Sequence, residues 1–303
     1  MKASYARFVH ILQNCLITTS LIYFCCFQVN ASSKKQLEHD IATLTSNQFY
    51  GRKTNTVGAK RAAEYITQRF SDLGYQIQRQ DFHYSGTFYQ QPQASNIIAV
   101  QPNSCQSCKL IVLTAHYDHL GLQGSRLYPG ANDNASGVAA LLYIAAIFAE
   151  KTSPYKLVFV ATDAEENGLH GSDYFVSTLN PSNVKLNINL DMLVVNQHKP
   201  RMIAFLNHQS QYKNAINSLS DEKIRFIATS SSHYLNRLFD LKVNWLKASD
   251  HYSFAKADIP YIYFGMGHDK HHHQSTDTIA HINFDLYEHA IQKIAEFMEK
   301  LTD

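Results

Sequence analysis

Two hydrophobic periods alternate along this chain. Leu37, Ile41 and Leu44 recur at helical spacing, and Ala62, Ala63, Ile66, Phe70 and Leu73 form one apolar helix face with Gly74 placed to stop it. Residues 75–82, 95–100 and 109–115 read as strands, the last a continuous apolar run suited to the centre of a sheet. Residues 136–150 predict an almost wholly apolar helix, which must be largely buried. The alternation then repeats. A strand at 156–161 precedes a helix at 168–179, and strands at 184–190 and 202–206 lead to a helix near 209–219. Strands at 224–229 and 261–264 follow, and a C-terminal amphipathic helix carries Leu286, Ile291, Ile294, Ala295, Phe297 and Met298. This order predicts an α/β fold, a single-domain three-layer sandwich with a mixed, mostly parallel central sheet flanked by helices. No Gly/Ser/Pro linker, low-complexity block or internal repeat divides it.

Composition agrees and adds one constraint. Of 303 residues 45% are hydrophobic and 12% aromatic, enough for a sizeable core, so disorder, collagen and coiled coil are poor readings. The net charge of +2 resides entirely in residues 1–31, which contain Lys2 and Arg7 and no acid; the remainder holds 25 basic and 25 acidic side chains. No basic field is left for a phosphate backbone, which argues against nucleic acid as a partner.

The same N-terminal residues resemble an export signal. Lys2 and Arg7 precede an uncharged run at 15–27, then Val29-Asn30-Ala31 and a polar stretch. The run is short for the ~20 residues of a membrane span. Residues 1–31 are therefore read as a signal peptide and 32–303 as the mature domain, periplasmic or secreted, with no stable membrane span after cleavage; a retained N-terminal anchor is the alternative. Cys15, Cys25 and Cys26 would leave with the signal. Cys105 and Cys108 remain in a polar loop before a strand, where a local disulfide is the simplest reading and a redox pair the other.

Five polar clusters fall at or near strand ends, where ligands gather in open α/β sheets. His116 and Asp118, two apart on a strand, would share a face, a spacing that suits a metal-bound imidazole beside a carboxylate or arises by chance. Asp133 lies in a polar loop opening the most apolar helix and could be its cap; Asn134-Ala135-Ser136 there matches a glycosylation sequon in a poor place for a glycan. Glu165 and Glu166 follow a buried strand, as a solvated turn or as a metal ligand beside a general base. Asp191 ends another strand, and His271-His272-His273 lies between the final strand and helix. Jointly these suit zinc, and they are too many for one tetrahedral ion; a two-metal site uses them all.

With these motifs in place the chain resembles the co-catalytic zinc aminopeptidases of peptidase clan MH, specifically its twenty-eighth metallopeptidase family. The resemblance runs from Gly51-Arg52 through Ala115–Asp118, Gly130–Gly137, Glu165–Gly168, Leu190–Met192 and Ser249–Phe254 to His273–Thr278. It implies two Zn²⁺ per chain. His116 and Asp191 would bind one, Glu166 and His273 the other, and Asp133 would bridge them. Glu165 would be the general base that takes a proton from the bridging water, Asp118 a carboxylate beside His116, and Asp250 and His251 supporting residues. The implied activity is removal of N-terminal residues from peptides with a free N-terminus. Glutaminyl cyclisation and a non-catalytic receptor-like role are the alternatives on the same fold, and carboxypeptidase action also occurs among relatives. One position departs from the family: His272 stands where an aromatic residue usually precedes the last ligand, so it could supply a spare ligand. Tyr234, Phe239, Tyr252 and Phe254 are read either as lining the substrate pocket or as core.

Overall fold

The structure, a computed structural model, describes residues 34–85, 91–102, 105, 107–194, 198–207 and 210–302. The signal-peptide reading of residues 1–31 lies outside them. The order is α1 (34–44), α2 (Val57–Asp72), β1 (Gln76–His83), β2 (Gln93–Val100), β3 (Leu110–His116), β4 (Gly121–Gln123), β5 (Arg126–Tyr128), α3 (Gly137–Phe148), β6 (Lys156–Thr162) and α4 (His170–Ser177). There follow β7 (Val184–Leu190), β8 (Arg201–Leu206), α5 (Ser210–Asn217), β9 (Arg225–Thr229), α6 (Ser232–Phe239), α7 (His251–Lys256), β10 (Tyr261–Gly265) and α8 (Phe284–Thr302).

Eight strands form one sheet in the order β1-β2-β6-β3-β7-β10-β8-β9. The middle four, β6, β3, β7 and β10, run parallel, so their carboxyl ends open on one edge. Antiparallel pairing at β2–β6 and β10–β8 makes the whole sheet mixed. Side chains alternate across it. Leu157, Phe159 and Ala161 of β6 face the layer of α1, α2, α3, α5 and α8, while Val158 and Val160 face α4 and α7. This double burial is why the central strands read as unbroken apolar runs.

Helix α3 presses hardest on the sheet. Nine of its residues, Val138, Leu141, Leu142, Ile144 and Phe148 among them, are buried; each large one contributes about 1.5–3 kcal/mol by leaving water. Its start at Gly137 touches the end of β7: a Cβ there would lie 2.4 Å from the Leu190 carbonyl oxygen. Only glycine allows that approach, and it brings the loop before α3 against the strand ends.

Local boundaries differ from the periodic pattern in instructive places. The helix expected from residue 168 begins at His170 because residues 165–169 form a turn that ends in left-handed Leu169. The strands of the β4–β5 hairpin and helix α7 are too short for a period of 2 or 3.6 to register, and α6, as long as α4 and α5, is a further helix the pattern does not single out. Cys105 and Cys108 are joined in a disulfide in the loop before β3. Among the described residues no helix is long and apolar enough to cross a membrane.

Candidate metal centre

The carboxyl edge of the parallel strands gathers the charged clusters. His116 is the last residue of β3, so the strand closes before Asp118. Their proximity therefore comes from the turn that follows, not from strand alternation. In that turn His116 Nδ1 lies 3.2 Å from the Asp118 carbonyl oxygen and 3.6 Å from its carboxylate. The Asp118 carboxylate instead accepts the backbone N–H groups of Glu165 (3.1 Å) and Glu166 (3.3 Å) and faces the Thr54 hydroxyl (3.1 Å). It thus fixes the glutamate turn against β3.

Asp133 does not cap α3, whose N-cap is Ser136. It belongs to a wide turn over Ala131–Ser136 with non-helical backbone, and the Asp133–Asn134 peptide is cis. Two anchors set this turn. The Asp277 carboxylate accepts the N–H groups of Asn132 (2.8 Å) and Asp133 (3.0 Å). Asn134 donates to the Leu190 carbonyl (3.0 Å) and accepts from Gly137 and Met192 N–H, which lays the turn beside Asp191. Asn134 is fully buried, so the sequon is no glycan site.

Asp133 consequently faces two ways. Its Oδ1 is 3.4 Å from His116 Nε2, which is itself 3.5 Å from Asp191 Oδ1. Its Oδ2 is 3.2 Å from His273 Nε2, which is 3.1 Å from Glu166 Oε2. His116 Nε2, Asp133 Oδ2 and Asp191 Oδ1 are buried without a hydrogen-bond partner among the described residues. Buried polar atoms left so would cost about 1–3 kcal/mol each. Donors around one tetrahedral zinc, at about 2.0–2.2 Å, stand about 3.3–3.6 Å apart. The orphaned atoms, their imidazole and carboxylate chemistry and these spacings fit zinc on both sides of Asp133.

Electrostatics separates the two adjacent glutamates. Burial pushes Glu165 well above the ordinary carboxylate range; His116 opposes this, while Asp191, Asp250 and Glu166 add to it. Burial acts the same way on Glu166, but hydrogen bonds from His119 and His273 outweigh it and hold Glu166 at about 2. Asp133 is held well below its ordinary value, because His119, His272, His273 and His116 overcome the burial penalty. For His116 burial favours the neutral ring, yet Glu165, Asp118 and Asp191 raise it well above its ordinary value. In an assembly of this kind the charges need a common counter-ion.

Backbone strain concentrates here too. Ala164, Met192 and His273 all have left-handed φ, at 59°, 56° and 57°, each within a residue of Glu165 or Asp191 or at His273 itself. Non-glycine residues adopt such angles at a cost of about 1–3 kcal/mol, and they cluster at functional sites.

The histidine triplet divides into three environments. His273 reaches both Asp133 and Glu166, whereas His272 Nε2 reaches Asp133 alone, at 3.4 Å. His271 turns away, stacks on His281 at 4.1 Å and bonds to Thr276. Asp250 and His251 stand behind the site. Asp250 accepts from Thr162 and burial raises it to about 6. His251 donates to the Trp245 carbonyl, packs between the Tyr261 and Tyr263 rings, and burial lowers it to about 4, so it is neutral. Phe254 and Phe239 pack in the core layers beneath, and Tyr252 sits between Lys247 and Lys256, while Tyr234 is exposed.

Two supports are not singled out by spacing. Arg52 is wholly buried and donates to the carbonyls of Leu44, Tyr117, Pro129 and Gly130. Asp163 is buried under Thr54, Ser95 and Tyr117, and burial with the nearby Asp118 raises it to about 7. Arg52 lies in a polar stretch and is marked only by the resemblance at Gly51-Arg52, and Asp163 stands beside the more conspicuous Glu165 and Glu166.

The model of peptidase family M28 matches residues 96–298, well over half of the chain. The chain belongs to this family. Aminopeptidase YwaD of Bacillus subtilis is 30% identical over 202 residues, covering 63% of this M28 chain and 41% of that protein. The chain spans about half the length, or less, of the first curated relatives it matches. Among solved structures, a zinc aminopeptidase from Bacillus subtilis superposes with a TM-score of 0.72 at 17% identity, over 89% of this chain and 95% of that one. A Porphyromonas gingivalis glutaminyl cyclase gives 0.68 at 16% identity, over 89% and 98%. At such identities these likenesses establish the M28 fold.

Proposed function

We propose that this chain is an exported zinc aminopeptidase with two metal positions that share Asp133. The observation that carries the reading is the pair of donor sets, His116–Asp133–Asp191 and Asp133–Glu166–His273, converging on opposite oxygens of one carboxylate. Two bound zinc ions would polarise the scissile carbonyl and acidify a nearby water. Asp133 would serve both positions, His116 and Asp191 would complete one, and Glu166 and His273 the other. Glu165, half-buried and within the field of His116 and Asp191, would take a proton from the water and pass it to the leaving amine. Asp118 keeps Glu165 and Glu166 in place through their N–H groups. Export accords with the signal-like residues 1–31, with 32–303 as the mature domain, and the disulfide suits an oxidising compartment.

The test is a chelator-controlled assay on aminoacyl-nitroanilides, N-blocked peptides and an N-terminal glutaminyl peptide. Release from free N-termini only, abolished by chelation, is expected. Cleavage of blocked substrates alone would refute aminopeptidase action, and cyclisation of glutamine with one tightly bound zinc would select the cyclase instead. Within this assay Glu165→Gln should retain its zinc and lose roughly 10²–10⁴-fold in turnover; normal turnover in that variant would remove Glu165 from the mechanism.

A further inference from the structure

Glu166 has a partner that the five-ligand scheme leaves unused. His119, three residues after His116, is 1% exposed and places Nδ1 2.8 Å from Glu166 Oε1 and 3.6 Å from Asp133 Oδ2. An ionised carboxylate can only accept, so the ring carries its proton on Nδ1 and donates to Oε1. The other carboxylate oxygen, Oε2, is the one that faces His273 at 3.1 Å. The other ring nitrogen, Nε2, is buried without a hydrogen-bond partner among the described residues, so no second hydrogen bond turns this imidazole away from Glu166.

The ring is also held in place. A Cβ on Gly130 would lie 2.5 Å from His119 Cδ2 and 2.6 Å from Cγ, so the glycine backbone packs directly on the imidazole. Gly130 is held in turn by Arg52, which donates to its carbonyl at 2.9 Å and to that of Pro129 at 2.6 Å. The His119 N–H closes the loop by donating to the Arg52 carbonyl at 3.3 Å. At the other position the outer contact is on the imidazole, His116 Nδ1 facing the Asp118 carbonyl at 3.2 Å, and among the described residues no imidazole backs its terminal carboxylate. Asp191, its terminal carboxylate, faces His116 Nε2 at 3.5 Å, and its Oδ1 is buried without a hydrogen-bond partner among the described residues.

We propose that His119 is a positioning residue for the metal held by Glu166 and His273: by taking up Oε1 it turns Oε2 toward that metal, and it makes the two zinc positions unequal, with the Glu166 side the tighter. The inference rests on the two-zinc reading above. Outer partners that orient a ligand are typically worth 10–100-fold in metal affinity.

The experiment is zinc titration of the chelator-stripped full chain, by calorimetry and by competition with a chromophoric chelator. It is repeated on His119→Ala and on His119→Asn, whose amide donor sits where Nδ1 does. The wild type should take up two equivalents of different affinity. His119→Ala should weaken the tighter one roughly 10–100-fold and leave the weaker within a few fold, and His119→Asn should restore most of the loss. Cobalt substitution gives a second readout, in which the absorption bands of only one of two ions change in His119→Ala. Unchanged affinities in His119→Ala, an equal fall in both equivalents, or an asparagine variant as weak as alanine would each overturn the assignment. Uptake of a single equivalent by the wild type would sink the two-zinc reading separately. The role of His119 would then stand only if His119→Ala weakens that one ion.

Discussion

Asp133 and Asp163 are both buried aspartates at the carboxyl edge of the sheet, 3% and 2% exposed, yet their surroundings are opposite. Asp163 meets the Ser95 and Ala164 N–H groups and the hydroxyls of Thr54 and Tyr117. Asp133 meets imidazole nitrogens at 3.2–3.6 Å, and among the described residues its Oδ2 has no hydrogen-bond partner. Two hydroxyls around Asp163 must each serve two acceptors: Thr54 lies between Asp118 and Asp163, and Tyr117 between the Ser95 carbonyl and Asp163. Each has one hydrogen to give. A proton on Asp163 relieves that shortage, in keeping with its rise to about 7. Asp133 is ionised and its lone pairs are left for a cation. A carboxylate completed by the protein is scaffold, and one left incomplete among imidazoles is a ligand site.

The contrast is broken most severely at Asp133. Asp133→Asn removes the charge common to both donor sets, so zinc content should fall below one per chain and turnover by about 10³-fold, reflecting several kcal/mol of lost stabilisation. Metal analysis that still finds two zinc ions would dismantle the comparison.

Asp163→Asn should keep its zinc, and its signature is pH-dependent. The folded-state pKa is raised from 3.8 to about 7, so the wild-type contribution is fully present below the unfolded value and is lost as pH rises through 7. The stability deficit of Asp163→Asn, read from melting curves, should therefore be largest near pH 4 and shrink or reverse by pH 8. A deficit independent of pH would mean that Asp163 is ionised in the folded chain. The smallest effect is expected at Thr54→Val, which removes the hydroxyl between the two carboxylates at a cost of about 1–3 kcal/mol. Denaturant melts should show that loss with zinc stoichiometry unchanged; loss of zinc would instead tie the scaffold directly to the metal centre.

Much of this was legible before any coordinates. Eight of the ten strands among the described residues lie where the pattern puts them; the central ones are apolar runs because both faces are covered, while edge strand β1 is largely exposed. His116, Glu165, Glu166 and Asp191 stand out because charged residues at the ends of such runs need a reason to be there, whereas Asp133 and His273 are singled out by the resemblance. His119 does not stand out. It sits beside His116 and Asp118, and nothing in spacing distinguishes a ring packed on Gly130 from one in solvent. Arg52 was visible only through the resemblance at Gly51-Arg52; its burial among four carbonyls depends on segments as distant as Leu44 and Gly130.

What the chain determined by itself is therefore the layered α/β architecture and the identity of the charged clusters. Both rest on local rules: side-chain period and the cost of placing charge next to apolar sequence. That Asp163 is a scaffold aspartate, how His271, His272 and His273 divide their contacts, and which glutamate His119 holds were decided only in the tertiary structure. Those choices depend on who donates to whom across more than a hundred residues of chain, as the Asp133 N–H does to the Asp277 carboxylate. A hydrogen bond with a partner that distant leaves no period in the sequence.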